Sequence, residues 1–161
     1  MSKAVMLSIR PKWCEKIASG EKTIEVRKTK PKLEIPFKCY IYETQGWWER
    51  DGIMAFRLGG HVIGEFTCDR IFPINVFDNG SIQNWLFEHM ERSCLTYEEL
   101  ADYIGNGKTG HGWRISGLLL YDQPKGLDEF TRLRETKFGS EPVTIKRPPQ
   151  SWYYVKAMKD G

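Results

Sequence analysis

Gly20-Glu21-Lys22-Thr23-Ile24-Glu25-Val26-Arg27 (GEKTIEVR) is the stretch on which the fold turns, because it joins the end of one element to the start of another of different period. Upstream, PKWCEKIASG places Trp13, Cys14 and Ile17 at helical spacing. Pro11 suits the first helical position, and Gly20 suits the left-handed residue that ends a helix. Before it, the apolar run AVMLSI (Ala4 to Ile9) reads as a strand feeding that helix. Within TIEVRK the period changes to two: Ile24 and Val26 alternate with Thr23, Glu25 and Arg27, the pattern of a half-buried strand with one apolar and one charged face. Glu25 and Arg27 therefore share a face and can pair or hold a ligand between them. Strict alternation puts Lys22 on the side of Ile24, so its reach toward the other two rests on the geometry of the turn.

Further along, KTKPKLEIP is a basic loop with Pro31 and Pro36, and Cys39 to Tyr42 (CYIY) is a second strand. Gln45 to Gly60, with Gly46-Trp47-Trp48 and Gly59-Gly60, is expected to be a long excursion or a distorted hairpin. His61 to Ile74 is a strand in which Gly64 marks a bulge. Two helices are then expected. One spans Ser81 to Met90 with Ser81 as N-cap, and the other follows Thr96 through YEELADYI, with Glu99 completing a capping box and Gly105 as the stop. Asn106 to Gly112 is a glycine-rich loop that matches no phosphate-binding fingerprint. Trp113 to Tyr121 and Ser151 to Val155 read as strands, separated by a helical piece at Leu127 to Leu133 and the basic IKRPP. The overall class is α+β.

The pattern Gly-x-Lys-x-x-Glu-x-Arg, preceded by MLSIR and the PKWCEKIASG helix, resembles the signature of ASCH domains, relatives of the PUA RNA-binding fold. Gly64-Glu65-Phe66, LTYEELADYI, GWRISGLLL and PPQSWYYV follow in the order expected of short phage and bacterial ASCH proteins, so the resemblance covers nearly the whole chain. It implies one PUA-like domain over residues 1–161, a mixed β-barrel of about six strands with flanking short helices. The partner it implies is RNA or a nucleotide, with no metal and no organic cofactor.

On that resemblance Lys22, Glu25 and Arg27 form the wall of an anion-facing cleft, with Arg27 offering a fork and Lys22 a point charge to phosphate. Lys28 and Lys30, followed by Lys32 and Lys38, would supply a phosphate-contacting rim, which Arg132, Arg134, Lys146 and Arg147 could extend. Trp47 and Trp48 are candidate stacking platforms for bases. An alternative function follows from the same resemblance. Some small bacterial ASCH proteins hydrolyse the amide of acetylated cytidine with a Lys, a Thr nucleophile and a Glu. Lys22 matches that lysine. Glu25 stands where the threonine falls, with Thr23 the nearest substitute, and Ser93 stands where the glutamate falls, with Glu91 nearby. Glu25 could instead serve as a general base near Lys22, which fits a nuclease or another hydrolase acting on RNA; Lys22 and Glu25 are thus the catalytic candidates.

Bulk properties narrow the field. The chain has 161 residues, 40% hydrophobic, 28% charged and 13% aromatic, which is enough apolar material for one self-sufficient core and excludes a disordered chain. No stretch of membrane-spanning length and no signal-peptide succession occurs, so a cytoplasmic location is expected. Cys14, Cys39, Cys68 and Cys94 form no C-x-x-C pair, and His61, His89 and His111 are equally scattered. The cysteines read as reduced core residues rather than zinc ligands. Net charge is +3, unevenly spread: residues 1–40 carry ten Lys/Arg against four Asp/Glu, whereas residues 41–124 carry six against twelve. A basic face of this kind attracts phosphate, and a self-compensating surface has the same composition.

Overall fold

The apolar run near the N-terminus is β1 (Lys3–Ile9), and it shows no alternation because both of its faces are buried. Val5, Leu7 and Ile9 enter one cluster with Cys14 and Ile17 of α1 (Pro11–Ser19), Phe37, Cys39 and Ile41 of β3 (Phe37–Glu43), Phe66 and Cys68 of β6 (His61–Val76), and Trp113 of β8 (Thr109–Lys125). Ala4 and Met6 enter a second cluster with Tyr40, Tyr42, Val62 and Phe130, together with Tyr153 and Val155 of β11 (Trp152–Lys156). The computed structural model describes residues 2–57, 59–83 and 85–159, without the side chains of residues 47, 48, 50 and 55–57.

The remaining elements are β2 (Ile24–Arg27), β4 (Gly46–Arg50), β5 (Ile53–Arg57), β7 (Ile82–Gln83), α2 (Phe87–Ser93), α3 (Tyr97–Ile104), β9 (Thr131–Thr136) and β10 (Gly139–Thr144). The main sheet has nine strands: eight run in the order β10-β9-β11-β1-β3-β6-β8-β2, and β7 pairs with β6. β1 and β3 are parallel and the other pairings are antiparallel. β6 and β8 are long and bent, with three register shifts between them. One of these is at Gly64, the position expected to bulge. A Cβ on Gly64 would lie 2.5 Å from Leu119 O, so the two backbones approach each other where only glycine fits.

Four expectations are corrected. The architecture is α+β, but the sheet is an open path rather than a closed barrel of about six strands. β1, which Arg27 of β2 reaches through a side-chain bond to Ser8 O, already has β11 and β3 on its two sides, so it offers β2 no ladder. Residues 127–133 are not a helical piece but a 3-10 turn (Leu127–Glu129) leading into β9, which forms a hairpin with β10. That hairpin lies at the sheet edge, is mostly exposed and polar, and so lacks the apolar alternation that marks a half-buried strand. The helix expected at Ser81 begins later, at Phe87. Asn79 accepts from the Ser81 N–H (3.0 Å) and hydroxyl (2.7 Å), making a turn, after which β7 intervenes. The loop expected over Asn106 to Gly112 gives way to β8 at Thr109, and a Cβ on Gly112 would stand 3.0 Å from the Trp85 ring.

Local signals hold where they are self-contained. Gly20 is left-handed (φ 86) and ends α1, and Thr96 and Glu99 make both halves of the capping box on α3. Within the excursion expected over Gln45 to Gly60, β4 and β5 form a hairpin turned by Asp51 and Gly52 with φ 51 and 77. Cys14, Cys39 and Cys68 are buried and form no disulfide among the described residues. Burial pushes the Cys39 thiol well up and the Cys68 thiol up to about 11, which keeps both unreactive. Among the described residues no helix is long and apolar enough to cross a membrane.

Candidate functional site

After Gly20 the chain doubles back beneath the C-terminal turn of α1, with the Lys22 N–H donating to Lys16 O (3.0 Å). This turn overrides the alternation that would send Lys22 to the side of Ile24. Lys22 is 2% exposed, its Nζ donating to Ser93 O (2.5 Å) and lying 5.0 Å from the centre of the Trp13 ring. Burial holds the Lys22 ammonium below the usual lysine pKa, and the nearby Glu25 carboxylate opposes part of that shift.

β2 then presents Ile24 and Val26 to a third apolar cluster, with Ile74, Val76, Trp85, Leu100 and Ile104. Glu25 and Arg27 point to the opposite face. The sequence pattern makes that face charged and leads one to expect it in solvent, but Glu25 is 7% and Arg27 8% exposed. The curl of the sheet brings β2 toward β1, and Arg27 spans the gap that no backbone ladder closes. Its Nη2 donates to Ser8 O (2.8 Å) and its Nη1 to Ser151 O (3.0 Å) and Oγ (3.2 Å). The guanidinium fork is thus committed within the fold rather than held open for a phosphate. Arg27 Nε lies 4.0 Å from Glu25 Oε1, which also accepts the Val26 N–H (3.1 Å). Glu25 Oε2 is buried and has no hydrogen-bond partner among the described residues.

Lys22, Glu25 and Arg27 line one cleft of ≈ 630 Å³. Its walls come from the end of β1 (Ser8, Ile9), Arg10 at the cap of α1, Trp13 of α1, Glu99, Asp102 and Tyr103 of α3, and Gln150 with Ser151. The floor is amphoteric, with cations and carboxylates interleaved. It suits a neutral planar group that both donates and accepts better than it suits a phosphate.

Lys28 is exposed at the rim, its Nζ 5.1 Å from the Tyr103 ring centre, and burial raises the Tyr103 hydroxyl above its ordinary value. Lys30 is exposed beyond it and, after burial, is the second influence lowering the His111 pKa. Lys38 belongs elsewhere, on β3, paired with Glu65 (2.9 Å). Arg134 pairs with Glu141 across the β9–β10 hairpin, and Arg132 lies over Tyr153, so neither extends the rim. Trp47 and Trp48 fall on β4, and their side chains lie outside the described residues.

Trp13, Glu99, Asp102 and Tyr103 were not among the sequence candidates. The last three stand at i, i+3 and i+4 on α3, one polar-aromatic stripe opposite the buried Leu100 and Ile104, which was the available signal. Among the described residues no group of three or more His, Cys, Asp or Glu could hold a metal ion.

Comparison with known proteins is consistent with this architecture. The family profile described as the ASCH domain matches residues 7–106. The crystal structure of ASCH from Zymomonas mobilis superposes with a TM-score of 0.54 at 22% identity, over 95% of this chain and 87% of that one. Two point mutants of that protein superpose with TM-scores of 0.57 and 0.55, at 20% and 21% identity. They cover 96% and 95% of this chain and 91% and 88% of theirs. No curated protein matches.

Proposed function

The chain belongs to the ASCH domain family, and from that premise we propose that it binds RNA by taking one unstacked base into the cleft beside Lys22 and Glu25. One observation carries the reading: Glu25 Oε2 is buried without a partner among the described residues, which costs free energy unless a ligand donates to it. Lys22 stands beside it with donors beyond the one given to Ser93 O, so a base edge presenting a donor next to an acceptor satisfies both. Trp13 and Tyr103, from two different helices, offer aromatic faces for stacking in the same cleft. Arg10 and Lys28 at the rim contribute charge for the flanking phosphates.

A second reading, hydrolysis of a modified nucleoside such as acetylated cytidine, is favoured by Lys22 having its proton loosened by burial next to a carboxylate. The other two roles find less support. Thr23 lines a different recess, and the Ser93 hydroxyl donates to Met90 O (2.8 Å) while accepting the Leu95 N–H (3.2 Å).

Direct binding of single-stranded RNA, duplex RNA and single-stranded DNA across a salt series tests the proposal. Affinity for single strands should fall steeply with salt, and Trp13→Ala should weaken it by about 1–3 kcal/mol, the worth of one stacked base. Acetylated cytidine incubated with the wild type and with Lys22→Ala separates the second reading. Turnover lost in the variant would replace the binding module with an enzyme, and absence of binding to every nucleic acid would end the first reading.

A further inference from the structure

Behind the cleft, on the other side of residues 22–24, lies a second recess of ≈ 540 Å³. Arg70 of β6, Arg92 of α2 and Arg114 of β8 converge on it. Its floor is rigid. Phe72 stacks on His89 (ring centroids 4.3 Å), and His89 packs on Trp85 (5.1 Å). Arg70 lies over Phe72 at 4.7 Å. Among the described residues neither Arg70 nor Arg92 pairs with a carboxylate, and both are exposed. Arg114 gives two donors to Asp69 (2.7 and 3.0 Å) and keeps the rest of its fork, and Glu88 is the one acidic side chain lining the recess.

The two hollows share a wall. The Thr23 N–H donates to Arg92 O (2.9 Å) and Lys22 Nζ donates to Ser93 O, so consecutive residues at the end of α2 serve opposite sides. Arg92 sends its side chain to the recess, while the next carbonyl anchors the lysine of the cleft. Three guanidinium groups from three elements, two of them without an anionic partner among the described residues, match the geometry of phosphate oxygens better than that of any apolar ligand.

We propose that the Arg70–Arg92–Arg114 recess is a phosphate-binding subsite that holds the backbone of a nucleic-acid strand whose base occupies the Lys22–Glu25 cleft. The proposal rests on the binding function given above and narrows it: the ligand is an oligonucleotide rather than a free nucleoside. A strand passing over the end of α2 engages both hollows, and a nucleoside engages one.

The test uses the whole chain and a labelled single-stranded RNA of about twelve nucleotides, within the range of single-strand site sizes. Arg70→Ala with Arg92→Ala should weaken binding about tenfold or more and reduce the slope of log affinity against log salt by about 1.4, two phosphate contacts at about 0.7 each. Arg92→Glu, a single exposed change, should act in the same direction without altering the melting temperature. Glu88→Gln should tighten binding, which a loss of folding cannot do. Unchanged affinity and slope in the arginine variants, with binding abolished by Lys22→Met, would overturn the subsite and leave the cleft reading intact. Binding lost in the arginine variants but untouched by Lys22→Met would keep the recess as a phosphate site and remove the cleft. A wild-type chain that binds no RNA at any salt would overturn both.

Discussion

Arg27 is expected to be a strut rather than a ligand contact, and its substitution distinguishes the two. Its side chain is 9% exposed and makes three hydrogen bonds, to Ser8 O, Ser151 O and Ser151 Oγ, and it lies beside Glu25 across a 4.0 Å gap. Replacing Arg27 with Ala removes the bridge between β2 and β1 and takes one cation from beside the buried Glu25 carboxylate while Lys22 stays, a change that costs about 3–5 kcal/mol. For a chain of this length about 1 kcal/mol moves the melting temperature by about 2–4 °C, so Arg27→Ala should melt about 6–20 °C lower. Arg27→Lys keeps the charge but not the planar fork. An ammonium cannot reach all three acceptors, and at least one charge-assisted bond worth about 1.5–3 kcal/mol is lost. Thermal and urea denaturation measure the loss, and the salt slope of RNA binding measures the alternative role. Melting within about 2 °C of wild type for Arg27→Ala would refute the strut. So would a normal melting temperature for Arg27→Lys together with a flattened salt slope.

Two further outcomes follow from the same geometry. Lys22 has its pKa lowered by burial, so between its folded value and the unfolded value near 10.5 the unfolded chain binds more protons than the folded one. Stability should therefore rise as pH increases through that window toward 10.5, the burial penalty being fully present below it. Urea midpoints measured across the alkaline range should show this rise in wild type and not in Lys22→Met, and identical profiles would count against a buried ammonium. Gly64→Ala should lower the urea midpoint by the equivalent of about 1–3 kcal/mol without changing the slope, because its Cβ would meet Leu119 O at 2.5 Å and Leu120 Cα at 3.1 Å. An unchanged midpoint would mean that β6 and β8 do not approach as described.

What could be read from the chain was what nearest neighbours settle. The helix from Pro11, its left-handed end at Gly20 and the capping box of Thr96 and Glu99 each rest on contacts within a few residues, and each is present in the fold. The bulge at Gly64 was legible because a glycine inside a strand has few other uses. Turn chemistry misled at Asn79-Gly80-Ser81, where the same residue types serve a helix start or a side-chain turn, and the short hairpin that pairs β7 with the end of β6 chose the turn. The edge hairpin β9–β10 left no apolar period to read because most of its side chains are polar and exposed.

The site divides along the same line. Alternation in TIEVRK established that Glu25 and Arg27 share a face opposite Ile24 and Val26. That this face is buried, that Lys22 joins it, and that Arg27 is bound within the fold depend on contacts with Ser8, Ser93 and Ser151, which lie far away along the chain. The sequence by itself determined which residue types stand on which side of each element, because that needs only the period of the backbone. Whether a side met solvent, core or cleft was decided by the tertiary structure alone, because burial is set by whatever distant segment the curled sheet brings against it.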